Sequence, residues 1–266
     1  MVKSVPVVAR IAAVALAVLV TLYMLAPLVV VAGASIGENR FLSFPPRGFT
    51  WDWYVDALTS DTYLEPFRLS LIVGVTTAVI AATVGTAAAL ALTRFPVPGA
   101  AAIQGLLMSP LTVPTIILAI GSLSVASLTI GAPNVGVLIV AHSVIAVPYV
   151  MRTVTGVMAR ADTFTEEAAR TLGANTWNRY RLVVLPIARP GIAAGAFFAF
   201  NVSFDDAVIA LFLRTPRIET LPVAIYGQLE FSTSPTVAAV STLMVLMTVV
   251  LMIALERIIG LGRLFV

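Results

Sequence analysis

Six stretches of this chain are each apolar enough and long enough to cross the ~30 Å hydrocarbon core of a bilayer, which takes about 20 helical residues. They run roughly over residues 11–34, 70–93, 100–123, 135–151, 190–213 and 237–259. That pattern predicts an all-α integral membrane protein with six transmembrane helices. Composition agrees: of 266 residues 59% are hydrophobic and 11% charged, with mean hydropathy +1.02, far from soluble averages. The opening MVKSVPVVARIAAVALAVLVTLYMLAPLVVV carries basic residues and then an apolar run longer than a signal-peptide core, with no small-residue cleavage site after it. It is expected to be an uncleaved first span. Spans two and three are joined by RFPVPG, where Pro96, Pro98 and Gly99 cannot continue a helix, which predicts an antiparallel hairpin. No internal repeat divides the chain, so residues 1–266 are expected to form a single transmembrane domain.

What the chain lacks narrows its chemistry. Zero cysteines exclude disulfides, thiolate metal sites and cysteine nucleophiles, and one histidine argues against a histidine-built metal site. There is no G-x-x-x-x-G-K-[ST] phosphate loop, so this chain does not hydrolyse ATP.

Orientation follows from the basic residues. With the N-terminus inside, the inner segments hold Lys3, Arg10, Arg94, Arg152, Arg160, Arg170, Arg179, Arg181, Arg189, Arg257 and Arg263, against Arg40, Arg47, Arg68, Arg214 and Arg217 outside. This excess predicts both termini in the cytoplasm and a cytoplasmic loop over residues 162–189.

That loop takes up most of EEAARTLGANTWNRYRLVVLPIARPGI, residues 166–192. Thr163 with Glu166 three residues on reads as a capping box, small and apolar residues favour helix, and Gly173 is a stop, so a helix of about two turns is expected. Asn175 can cap a second helix that places Trp177, Tyr180, Arg181 and Val184 on one face, suited to the lipid headgroup layer, before Pro186 ends it.

The spacing Glu167, Ala168, Ala169, three residues, Gly173, nine residues, Val183, one residue, Leu185 and Pro186 resembles the EAA signature of binding-protein-dependent ABC importer permeases. Val183 stands where that family often has Ile. The resemblance implies a type I ABC importer permease (MetI-like) architecture in a bacterial inner membrane, with this loop as the coupling helix that docks into a cleft on a separate ATPase. It further implies a cytoplasmic ATP-binding subunit dimer that holds ATP and Mg, a second, different but homologous permease chain, and an extracytoplasmic substrate-binding protein. No cofactor on this chain, no metal and no nucleic-acid partner are expected. The segments FPPRGFTWDWY, HSVIAVPYVMRTV, NVSFDDAVIALFL and LPVAIYGQLEFSTSPTVAA are similar to the spermidine/putrescine-type subgroup. Permeases for ferric iron, opines, aminoalkyl phosphonates and small amino acids share much of this wording.

Candidate path residues stand apart from the loop. Asp205 and Asp206 sit inside the fifth apolar stretch, where acids are costly unless they face a cavity or a partner. At ~1.5 Å per residue they lie about 22 Å along the helix from Pro190, in the outward half of the span. Alternatively one of them caps a helix or pairs with Arg214 or another span. Trp51, Trp53 and Tyr54 close the first outside loop, either as interface anchors or as rings for a cationic substrate or a binding protein. His142 reads as a satisfied helix contact without assigned chemistry. Pro110, Pro114 and Pro148 free backbone groups inside the membrane, as kinks that shape a pathway or simply pack. Two other functions compete: a proton-coupled secondary transporter using Asp205, Asp206 and His142, and an intramembrane enzyme. For the latter, His142 and Ser143 are neighbours on different helix faces, which weakens a dyad.

Overall fold

The computed structural model describes residues 7–231 and 234–260. Lys3 and Arg263 of the charge count, and Ser232 and Thr233 of the last similar segment, lie outside them. Among the described residues the chain is helical apart from turns and one isolated bridge, Thr215 to Ile218. In order it forms α1 (Val7–Ala34), α2 (Asp52–Thr59), α3 (Asp61–Arg94), α4 (Ala100–Met108), α5 (Thr115–Thr129), α6 (Val135–Arg160), α7 (Phe164–Thr171), α8 (Thr176–Arg179), α9 (Leu185–Phe204), α10 (Val208–Phe212), α11 (Leu221–Phe231) and α12 (Pro235–Ile259). Among the described residues five helices, or helices in direct succession, are long and apolar enough to cross a membrane, and the bent pair α4 and α5 is a sixth if it crosses as one span.

The described residues fall into two compact units, 7–63 with 227–231 and 234–247, and 64–226 with 248–260. In the first, α1 is apolar all round and buries only Ala34, which suits a helix surrounded by hydrocarbon. The chain then folds back through backbone bonds from Thr50 N–H to Ile36 O (2.9 Å) and from Glu38 N–H to Arg47 O (3.0 Å). Thr236 Oγ1 at the start of α12 donates to Asp56 Oδ2 on α2 at 2.9 Å.

The second unit is built on the packing of α6 against α9. A Cβ built on Gly195 would stand 2.6 Å from Val150 Cα, so only glycine admits this approach, and Thr153 Oγ1 donates across the interface to Gly191 O at 2.8 Å. Small residues with one polar tie are what helix pairing in lipid demands, where apolar side chains gain nothing by leaving the solvent. Around this seam lie two cores. One gathers Ala89 and Leu90 of α3, Val150, Met151 and Val154 of α6, and Val184 and Ala188 near the start of α9. The other gathers Val73, Ala119, Leu138 and Ile145 with Ile209 and Leu213 of α10.

Four spans differ from their sequence reading. The second begins nine residues early, at Asp61, with Pro66 inside the helix. The third is not one helix over 100–123: α4 ends in a 3-10 turn at Ser109–Leu111, and α5 leaves at 94°. Pro110 opens that turn, and Pro114, at φ −54° and ψ 128°, is the N-cap of α5; a proline also bars the α conformation for Val113 before it. The fourth runs well past 151 to Arg160, with Pro148 inside it, its start capped by Asn134 Oδ1 accepting from Val137 N–H (3.1 Å). The fifth is displaced toward the N-terminus: its helix begins before Pro190 and stops at Phe204, so residues 205–213 are a break and a short helix rather than span. The turn between α3 and α4 forms where expected, with Gly99 at φ +71°.

A polar loop and an acidic break

The loop between α6 and α9 carries the first group of candidates. α7 spans the expected two turns, but its start is not a capping box: Thr163 has helical backbone angles and makes no side-chain cap, and Asp162 Oδ1 accepts the Phe164 N–H instead (2.9 Å). Its end is a Schellman turn. Ala174 N–H reaches Ala169 O (3.0 Å), Gly173 N–H reaches Arg170 O (3.1 Å), and Gly173 sits at φ +85°, a conformation glycine adopts without strain. Glu167, Ala168 and Gly173 are exposed and Ala169 half-buried. Phe164 and Leu172, 73% and 88% exposed, stand out beside them, so α7 presents small and apolar residues to its surroundings with one free carboxylate.

Beyond Gly173 the Asn175 cap is present, its Oδ1 accepting from Asn178 N–H at 2.8 Å. The separate interfacial helix is not. α8 passes through a π turn, Tyr180–Val184, straight into α9, and Pro186 lies at the start of that helix rather than after its predecessor's end. Proline cannot donate to the carbonyl four residues back, and the widened turn, in which Leu185 N–H bonds Tyr180 O, carries the chain past that gap. The expected lipid-facing stripe is therefore divided. Trp177 is 70% exposed, Val184 is fully buried, and Tyr180 stacks on Phe95 with ring centres 6.3 Å apart. Leu185 is 40% exposed.

One contact had no signal in the sequence. Glu166, assigned above to a cap, pairs with Arg94 at the end of α3: Nε to Oε1 is 2.8 Å, with the side chains 13% and 12% exposed. Residues 72 apart in a single sequence show no pattern that pairs them.

The second group lies at the break after α9. Asp205 occupies the C-cap position and is exposed. Asp206 turns inward and caps α10, its Oδ2 accepting from Ile209 N–H (2.8 Å) and Ala210 N–H (3.2 Å). The same Oδ2 lies 3.5 Å from Nε2 of His142, which is fully buried on α6 and joined through Nδ1 to Ser203 Oγ at 2.8 Å. Arg214 takes no part in this; it pairs with Glu219 at 2.6 Å. Ser143 Oγ donates to Ile139 O at 2.7 Å and is not aimed at His142, so no dyad forms.

The aromatic candidates belong to the first compact unit and the acidic pair to the second. Trp53 Nε1 donates to Gly37 O (2.8 Å) and Tyr54 hydrogen-bonds Ser35 through its hydroxyl (2.7 Å), so both tie α2 to the end of α1. Trp51 is 58% exposed, edge-on to Phe49 and Tyr54.

Residues 74–260 match the family of binding-protein-dependent transport system inner membrane components. The chain is 32% identical over 237 residues to the spermidine/putrescine transport system permease protein PotC of Escherichia coli (strain K12), covering 89% of each. It is 29% identical over 228 residues to the putrescine transport system permease protein PotI of the same strain, covering 83% of this chain and 81% of that one. Among solved structures it superposes with TM-score 0.69 and 15% identity on a chain of a bacterial ABC transporter involved in the import of the acidic polysaccharide alginate, covering 95% of this chain and 98% of that chain.

Proposed function

Because this chain belongs to the family of binding-protein-dependent transport system inner membrane components, it is a permease subunit of an ATP-driven importer, and we propose that it conducts a small cation of the polyamine class. ATP hydrolysis belongs to a separate subunit, and the family implies an extracytoplasmic binding protein and a second permease in the same complex. The observation that carries the substrate class is the 32% identity to a permease named for spermidine and putrescine over 89% of both chains. An exposed carboxylate, Asp205, at a break inside an otherwise apolar stretch fits it, since an ammonium group crossing a low-dielectric region needs a compensating charge.

In this reading Asp205 faces the path, Trp51 offers an exposed ring to a cation on the outer side, and both termini are cytoplasmic. The second permease is a different but homologous chain. The exposed face of α7, with Glu167, Ala168, Ala169 and Gly173, seats in a groove on one member of an ATPase dimer, which holds ATP and Mg. Leu185 and Pro186 set where α9 begins behind it.

The test is uptake by the purified complex with its ATPase and binding protein in proteoliposomes. Spermidine or putrescine accumulation that requires internal or external ATP on the ATPase side is expected, unchanged when the proton gradient is collapsed. Accumulation of 2-aminoethylphosphonate or ferric iron without polyamine would overturn the substrate class.

A further inference from the structure

Arg94 is the last residue of α3, and Glu166 lies in the first turn of α7. From their contact we infer that the two residues form a strut through which α7 moves α3, so that the end of α3 and α7 travel as one body during transport. The inference rests on the reading of α7 as the ATPase contact.

Covalent connection links α7 directly to α6 and, through α8 and the π turn, to α9, so a displacement of α7 reaches those two helices along the chain. α3 has no such link. Any motion of α7 must reach it through side chains, and two contacts between this loop and the α3 end are in place. One is the Arg94 to Glu166 pair at 2.8 Å; the other is the Phe95 to Tyr180 stack, ring planes within 6°.

Charge and burial make the first of these stiff. Each residue also suits the end of its own helix, the cation at a C-terminus and the anion at an N-terminus, so neither helix favours releasing its partner. The pair is largely removed from water, and Arg94 Nη2 is buried without any acceptor. Parting would leave a desolvated guanidinium wholly uncompensated, which is the situation in which removing one member of an ion pair is most costly. A contact held at this distance by opposite charges, between elements backed by the Leu90 and Val184 core, resists pulling as well as pushing.

The experiment measures solute uptake and ATP hydrolysis together in the assembled complex, using whichever of spermidine, putrescine and 2-aminoethylphosphonate the wild-type complex accumulates. Glu166→Arg is expected to retain the ATPase subunit and its hydrolysis while solute moved per ATP falls about tenfold, since the like charges now repel. The swap Arg94→Glu with Glu166→Arg is expected to restore that ratio to within about twofold, the non-additivity of a direct pair. A swap no better than the single change would overturn the strut. Should charge reversal prevent assembly, cross-linking decides, because the chain has no cysteine of its own. Arg94→Cys with Glu166→Cys is expected to move less solute per ATP than wild type before linking, and to recover toward the wild-type ratio once joined by a short bifunctional maleimide. Uptake abolished by the link would show that the two ends must part, and would overturn the proposal. Gly173→Trp, run alongside, reports on docking: wild-type ATPase recovery there would remove the docking reading irrespective of the Arg94 variants.

Discussion

Asp206 Oδ2 stands 3.5 Å from His142 Nε2 while accepting two backbone N–H groups of α10, and its neighbour Asp205 makes no comparable contact and is exposed. Two adjacent carboxylates in one apolar stretch thus have different surroundings. One caps α10 at the break after α9, with His142 of α6 beside it; the other is exposed. The division arises because α9 ends at Phe204, which sends successive side chains in different directions rather than around one helix.

Asp205→Asn and Asp206→Asn are accordingly expected to fail differently. Asp205→Asn should lower uptake about tenfold or more with normal recovery of the complex, since it removes a charge and no structural contact. Asp206→Asn keeps an amide oxygen that can still cap α10 and should lose part of the complex yield. Asp206→Ala, which removes the cap as well, should lower stability by about 1.5–3 kcal/mol, the range for hydrogen bonds to a charged group. Thermal unfolding in detergent, read beside uptake, separates the two positions; normal uptake in Asp205→Asn would mean that the substrate charge is met elsewhere.

His142 and Ser203 should act as a unit. Replacing His142 by Leu strands the Ser203 hydroxyl in a buried setting, at about 1–3 kcal/mol. Ser203→Ala alone should cost less, and the double variant should cost less than the sum. Additive losses across this cycle, measured by thermal unfolding, would show that the 2.8 Å contact contributes nothing of its own.

Close packing at the α6 and α9 seam gives a sharper contrast. A Cβ at Gly195 on α9 would lie 2.5 Å from Thr153 Oγ1 and 2.6 Å from Val150 Cα, whereas one at Gly156 on α6 meets nothing within 4 Å. Gly195→Ala should therefore destabilise by about 1–3 kcal/mol through overpacking. Gly156→Ala should be neutral or stabilise by up to about 1 kcal/mol, because alanine is the better helix former. Equal unfolding midpoints for the two variants would contradict the helix approach described here.

How much of this was legible beforehand depended on range. Among signals that act within four residues, Gly173 as a stop and Asn175 as a cap read correctly, and the Thr163 to Glu166 capping box did not. Prolines were legible as interruptions but not in their outcome. Pro110 and Pro114 turn the chain by 94°, while Pro186 and Pro190 sit within a helix that continues, because a π turn before Pro186 takes up the missing donor. Hydropathy counted residues 205–213 as span since the short α10 is itself apolar, and nothing in a window average records where the hydrogen bonding stops. Glu166 was misassigned for the opposite reason. A local capping pattern was present, and the stronger partner, Arg94, lay 72 positions away.

The turn that ends α7 has the same absence of neighbours around its glycine. Nothing lies within 4 Å of a Cβ at Gly173, so a methyl group there has open space, but the residue is held at φ +85°, where any L side chain is strained. Gly173→Ala should thus cost about 1 kcal/mol at the Schellman turn and leave an ATPase groove room to close. Gly173→Trp carries the same backbone strain and adds bulk on the exposed side. If α7 seats in such a groove, ATPase recovery should survive the alanine change and fall at least several-fold with tryptophan, and Glu167→Lys should weaken recovery more at low than at high salt, as expected for a screened charge contact. Co-purification at two ionic strengths measures all three. Equal recovery with alanine and tryptophan would mean that the strained turn alone matters, and that Gly173 lies outside the surface the ATPase covers.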